Sequence, residues 1–131
     1  MILLDTHIWF YYINDGVESL TPEVRQAIHE NDTLGVSVIS CWEIAMLVRS
    51  GRLALAVPTA EWHRGTLELG ILEAPVSGQI GILAGELAGL PGDPADRIIT
   101  ATAMVRNATL LTADRRILDW SGNVLRHDAR E

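Results

Sequence analysis

The run Met1-Ile2-Leu3-Leu4, apolar without polar alternation and closed by Asp5, constrains the fold more than any other stretch of the chain. A strand with one solvated face alternates in polarity, whereas a strand covered on both faces does not. The pattern predicts a central strand of a sheet flanked by helices. Thr109 to Thr112 repeats it and is followed by Ala113-Asp114. An acid just past the carboxyl end of such a strand lies where open α/β sheets hold their ligands.

Helical and strand-like stretches alternate between these two runs. A helix is expected from Ile8 to Ile13, a loop from Asn14 to Leu20, and a second helix from the Thr21-Pro22-Glu23 start signal. Leu34 to Ile39 reads as a strand. Ser40 then opens a third helix, which Gly51 closes as a C′ residue. Pro58 and Thr59 begin a fourth helix, and Ile71 to Val76 reads as another strand. Ser77 caps a helix to about Leu90, and the three- and four-residue steps of Gly78, Gly81, Gly85 and Gly89 predict close packing against another backbone. Asp93 and Pro94 start the next helix as N-cap and N1, which puts Asp96 at N3. Arg115 to Trp120 forms a short helix or turn, and Asn123 to Leu125 an edge strand before a polar tail. Strands alternating with helices predict a mostly parallel α/β sandwich, one domain over residues 1–131 without linker or repeat.

With 17 acids against 10 bases the net charge is -7, which argues against a non-specific nucleic-acid coat. Every one of those bases is arginine. No apolar run reaches the roughly 18 residues of a membrane span, and no basic region precedes the apolar start. The lone Cys41 cannot form an internal disulfide and is expected as a small core residue in a reducing, cytoplasmic setting.

Asp5, Glu43, Asp96 and Asp114 all follow strands or open helices, and a right-handed parallel sheet sends all such ends to the same edge. Each acid also has a local explanation. Asp93 with Asp96 makes a D-x-x-D cap, and Ser40 with Glu43 fits the S-x-x-E capping box. Taken together, the carboxylates would repel one another unless a cation neutralised them. An oxygen-only donor set favours a hard ion, Mg²⁺ or Mn²⁺.

Four motifs carry a resemblance: Leu3-Leu4-Asp5-Thr6-His7, Ser40-Cys41-Trp42-Glu43-Ile44, Asp93-Pro94-Ala95-Asp96-Arg97 and Leu110-Leu111-Thr112-Ala113-Asp114. In that order, and over nearly the whole chain, they resemble the PIN-domain family, and most of all the VapC-type toxins of bacterial toxin–antitoxin pairs. The resemblance implies a PIN-like three-layer sandwich around a parallel sheet of about five strands, ordered 3-2-1-4-5. It implies that Asp5, Glu43, Asp96 and Asp114 form the acidic catalytic and metal site, with Asp93 as a further acid and Thr6 and Thr112 as supporting hydroxyls. The implied reaction is metal-dependent hydrolysis of RNA phosphodiester bonds, leaving a 5′-phosphate and a 3′-hydroxyl. A cognate antitoxin and a homodimer follow from the same resemblance, and the aromatic run Trp9 to Tyr12 adds surface for either.

Other polar residues have two readings each. His7 contacts substrate or sits on a helix surface, and Arg97 contacts a phosphate or pairs with an acid. His29, His63 and His127 are expected in solvent, and Trp42 and Trp62 in packing. Three other functions compete: an RNA-processing nuclease outside any toxin pair, a non-catalytic module whose acids only cap helices, and aspartyl-phosphate chemistry at Asp5. The last needs a second acid two positions on, where this chain has His7, and a lysine that the chain lacks.

Overall fold

The computed structural model describes residues 1–31 and 33–129. Its sheet has the strands β1 (Ile2–Leu4), β2 (Leu34–Ser37), β3 (Leu72–Ala74), β4 (Thr109–Thr112) and β5 (Arg126–Asp128). They are ordered β3-β2-β1-β4-β5, and every pairing is parallel. The order expected from the resemblance is observed. The helices are α1 (Thr6–Asp15), α2 (Pro22–Glu30), α3 (Val38–Arg49), α4 (Thr59–Glu68), α5 (Gly78–Glu86), α6 (Pro94–Arg106) and α7 (Arg115–Leu118).

The central strands are covered on both faces, as their unbroken hydrophobicity requires. Side chains alternate along a strand. Ile2 and Leu4 of β1 and Leu111 of β4 pack with Ile8 and Trp9 of α1, Val24 of α2 and Ile44 of α3. Leu3 and Leu110 point the other way, into a cluster with Ile99 and Ala103 of α6, Ile117 and Trp120. Among the described residues no helix is long and apolar enough to cross a membrane.

Local signals set several boundaries. Thr21 caps α2 through the Val24 N–H, Ser77 caps α5 through that of Ile80, and Gly51 ends α3 at φ +77°. The Arg52 N–H reaches back to the Leu47 carbonyl and the Gly51 N–H to that of Val48, the paired bonds of a Schellman ending.

Other boundaries differ from expectation. Helix α1 begins at Thr6 and runs through Asp15, and Val17–Ser19 forms a 3₁₀ turn rather than open loop. Strand β2 stops at Ser37, whose hydroxyl caps α3 by accepting from the Ile39 N–H. Ser40 is thus already inside the helix, so no Ser40–Glu43 capping box exists. Helix α5 ends at Glu86, because the Arg97 guanidinium takes the carbonyls of Ala84, Gly85, Leu87 and Leu90 and stabilises an irregular exit. A Cβ on Gly78, Gly81 or Gly85 would meet nothing within 4 Å, so the expected close backbone packing is absent there. The last strand lies in the polar tail: Arg126 binds the carbonyls of Leu118, Trp120, Gly122 and Val124 and shapes the turn ahead of β5.

The aromatic run is mostly consumed by the core. Trp9 is fully buried, with its ring 4.7 Å from that of Trp62, and Phe10, Tyr11 and Tyr12 pack partly against the same cluster. Trp42, expected in packing, is 57% exposed.

Candidate active site

The carboxyl edge of the sheet gathers the acids. Asp5 ends β1 and caps α1: its Oδ1 accepts from the Thr6 N–H at 2.7 Å, and its Oδ2 from the Thr112 hydroxyl at 2.6 Å. The Thr112 oxygen accepts in turn from the Asp114 N–H at 3.0 Å. One threonine therefore ties the ends of β1 and β4 together and holds Asp5 in a single orientation. Asp114 caps α7 through the Arg116 N–H, and Asp93 caps α6 through the Asp96 N–H.

Glu43 reaches the same place from the second turn of α3, one turn deeper than the capping reading put it. It is buried, and the Thr6 hydroxyl, which donates to Ser40 Oγ at 2.9 Å, favours its ionised carboxylate. Asp96 is buried in the first turn of α6. Gly92, at φ +130°, lets the preceding loop pass close by, since a Cβ there would lie 3.0 Å from Asp96 Oδ2.

These acids line a cavity of about 470 Å³ together with His7, Tyr11 and Arg116. Glu43, Asp93 and Asp96 each offer a carboxylate oxygen within 4.8 Å of the other two. Burial raises the pKa of Asp5 and Glu43, against hydrogen bonds from Thr112 and Thr6. Asp96 is pushed up to about 7, first by burial and then by repulsion from Asp5, Asp93, Asp114 and Glu43. Asp114 moves the other way, because Arg116 hydrogen-bonds it.

Arg116 is the functional candidate that sequence reasoning missed. Its Nη2 lies 2.7 Å from Asp114 Oδ2 and 3.1 Å from Asp96 Oδ2. It thus supplies the cluster with an internal counter-cation. The signal was a base two residues beyond Asp114 on a short helix, which covers the site only once α7 turns back over the sheet edge. Arg97, expected at a phosphate or an acid, does neither. Its guanidinium is held by the carbonyls at the end of α5, where it braces the loop that presents Asp93. His7 is exposed at the mouth of the cavity.

The donors around the cavity are carboxylate oxygens, and the crowding of like charges calls for a cation, so the site fits a hard divalent ion. Comparison with known proteins bears on the family rather than on the ion. Residues 2–122 match the family model described as PIN domain. The chain is 34% identical over 120 residues to Ribonuclease VapC22 of Mycobacterium tuberculosis, covering 88% of each chain. Its fold is similar to the crystal structure of VapBC2 from Rickettsia felis bound to a promoter DNA fragment, with a TM-score of 0.69, 23% identity and coverage of 98% and 99%. It is also similar to VapBC-1 from nontypeable Haemophilus influenzae, with a TM-score of 0.59, 25% identity and 98% of each chain covered. Ordered motifs, sheet order and the family match converge on one assignment: this chain belongs to the PIN-domain family.

Proposed function

We propose that the chain is a divalent-metal-dependent endoribonuclease acting as the toxin of a toxin–antitoxin pair. The observation that carries this reading is the convergence of Asp5, Glu43, Asp93, Asp96 and Asp114 on one cavity. A 34% identical relative named as a ribonuclease supports RNA as the substrate class, and the VapBC complexes among the structural relatives support a cognate antitoxin.

Asp5, Glu43, Asp93 and Asp96 would hold Mg²⁺ or Mn²⁺, with Asp114 acting directly or through water. A divalent ion held there would supply hydroxide at neutral pH by lowering the pKa of water and would offset charge on the scissile phosphate. The chain's own residues prepare that step. Thr112 fixes Asp5, Thr6 steadies Glu43, and Arg97 braces the loop that ends in Asp93. Arg116 pairs with Asp96 and Asp114 and would be free to turn toward a phosphate if a bound cation took over those acids. His7 and Tyr11, at the cavity wall, are placed to meet the RNA.

The antitoxin is expected to present an arginine or lysine to the same carboxylates, as Arg116 does internally. A homodimer is proposed on the family resemblance, and a reducing cytoplasm suits the free Cys41.

The test is RNA cleavage by the purified chain under Mg²⁺ titration, with and without its upstream genomic neighbour co-expressed. Cleavage should require metal, stop in excess EDTA and be lost in Asp5→Asn. Undiminished cleavage in EDTA, in material free of contaminating nuclease, would overturn the reading. Inhibition by the neighbour with unchanged metal affinity would mean that the partner blocks RNA elsewhere than at the acids.

A further inference from the structure

A second group of ligating side chains lies away from the acidic cavity. Cys41 of α3, His63 of α4 and Glu73 of the edge strand β3 converge on one point. His63 Nε2 is 2.6 Å from Glu73 Oε1, and Cys41 Sγ is 3.4 Å from the same oxygen. The three donor atoms all lie within 4.8 Å of one another. One expectation is corrected here: His63 is not simply solvated but half-buried against Glu73, while Cys41 packs partly against the core as expected.

Cys41 and His63 also wall an apolar pocket of about 250 Å³, together with Trp9, Ile44 and Trp62. Trp62 Nε1 is buried and has no hydrogen-bond partner among the described residues. The pocket shares no lining residue with the acidic cavity.

We propose that Cys41, His63 and Glu73 form a second metal site, selective for a thiophilic divalent cation of the Zn²⁺ class. Thiolate sulfur, imidazole nitrogen and carboxylate oxygen are the donor types that Zn²⁺ takes, whereas Mg²⁺ prefers oxygen alone. Zn–S near 2.3 Å and Zn–N or Zn–O near 2.0–2.1 Å put tetrahedral donors roughly 3.3–3.6 Å apart. The sulfur–oxygen pair already has that spacing. The His63–Glu73 contact must open by about 0.7 Å, which two side chains about one-third exposed allow.

The charges balance as well. One thiolate and one carboxylate cancel the cation, so the occupied site presents no net charge to its apolar wall. Binding forms the Cys41 sulfur–metal bond and releases the thiol proton to solvent, while His63 binds as the neutral ring. The fourth position opens on the pocket, where water completes the coordination. An ion held this way would clip β3 to α3 and α4 and secure the edge of the sheet.

The test uses the full chain with Mg²⁺ in excess to occupy the acidic cavity. Co²⁺ is titrated and thiolate-to-Co²⁺ charge transfer is read in the near ultraviolet, followed by displacement with Zn²⁺. One equivalent should produce the band. Cys41→Ser should abolish it, His63→Ala and Glu73→Gln should weaken binding tenfold or more, and Asp5→Asn should leave it intact. Because Cys41 is the chain's sole cysteine, alkylation gives an independent readout. Zn²⁺ should slow its modification by iodoacetamide at least tenfold in the wild type but not in His63→Ala. Absence of the band at a tenfold excess of Co²⁺, or a band indifferent to both His63→Ala and Glu73→Gln, overturns the proposal.

Discussion

The acidic cavity and the Cys41–His63–Glu73 cluster solve opposite electrostatic problems. In the cavity, carboxylates are concentrated at strand ends and helix starts, where N–H groups and the helix dipole favour negative charge, and Arg116 still leaves them short of cations. At the cluster, a single carboxylate is satisfied by its neighbours, and the His63 hydrogen bond holds Glu73 below its usual range. The burial that raises Asp96 also pushes the Cys41 thiol up to about 12, where Glu73 adds to the effect. The lesson is that clustering acids creates a demand for hard cations, whereas mixing donor types creates a site that rests as hydrogen bonds. Capping and ligation are not alternatives in the cavity either. Asp5, Asp93 and Asp114 each cap a helix with one oxygen and still line the cavity, the second oxygen of Asp5 accepting from Thr112 and that of Asp114 from Arg116.

The largest expected effect breaks the cavity outright. Asp5→Asn keeps the cap but removes a charge proposed to hold the metal; if metal stabilisation is worth several kcal/mol, cleavage should fall about a hundred- to thousand-fold in single-turnover assays. Next is the bracing hydroxyl. Thr112→Val frees Asp5 to rotate, and Mg²⁺ affinity measured by calorimetry should weaken about ten- to a hundred-fold. An unchanged affinity would mean that the Thr112–Asp5 bond only supports the fold.

Acidity gives a smaller effect with a definite sign. Asp96, raised from 3.8 to about 7, would have to lose a proton to serve as a metal ligand. Mg²⁺ affinity should therefore rise about fivefold from pH 6 to pH 7 and flatten above that. The raised pKa also means that the stability contributed by protonated Asp96 is fully present below 3.8 and lost as pH rises through about 7. The smallest effect follows at pH 8: Asp96→Asn should leave the metal-free melting temperature unchanged or raise it by a few degrees, equivalent to about 1 kcal/mol. A clear fall would show that the charge–dipole interaction at the start of α6 outweighs carboxylate repulsion.

Much of the fold was legible locally. Unalternating Ile2–Leu4 and Leu110–Leu111 announced doubly covered strands, and Asp93-Pro94 announced the start of α6, because cap chemistry and side-chain alternation act within a few residues. The same range explains why Asp5, Asp93 and Asp96 could be named as site candidates. Boundaries failed where a single side-chain contact decided them, whether from another element or from a neighbouring residue. Arg97 ends α5 from the next helix, Arg126 shapes the turn before β5, and Ser37 rather than Ser40 caps α3.

What only the tertiary structure decided were the encounters between elements: Arg116 folded back onto Asp96, Thr112 donating to an acid 107 residues away, and Cys41 meeting His63 and Glu73. A sequence states which residues can hold a charge, a proton or a metal. Which of them share one depends on how helices cross the sheet, and that is set by packing over the whole core.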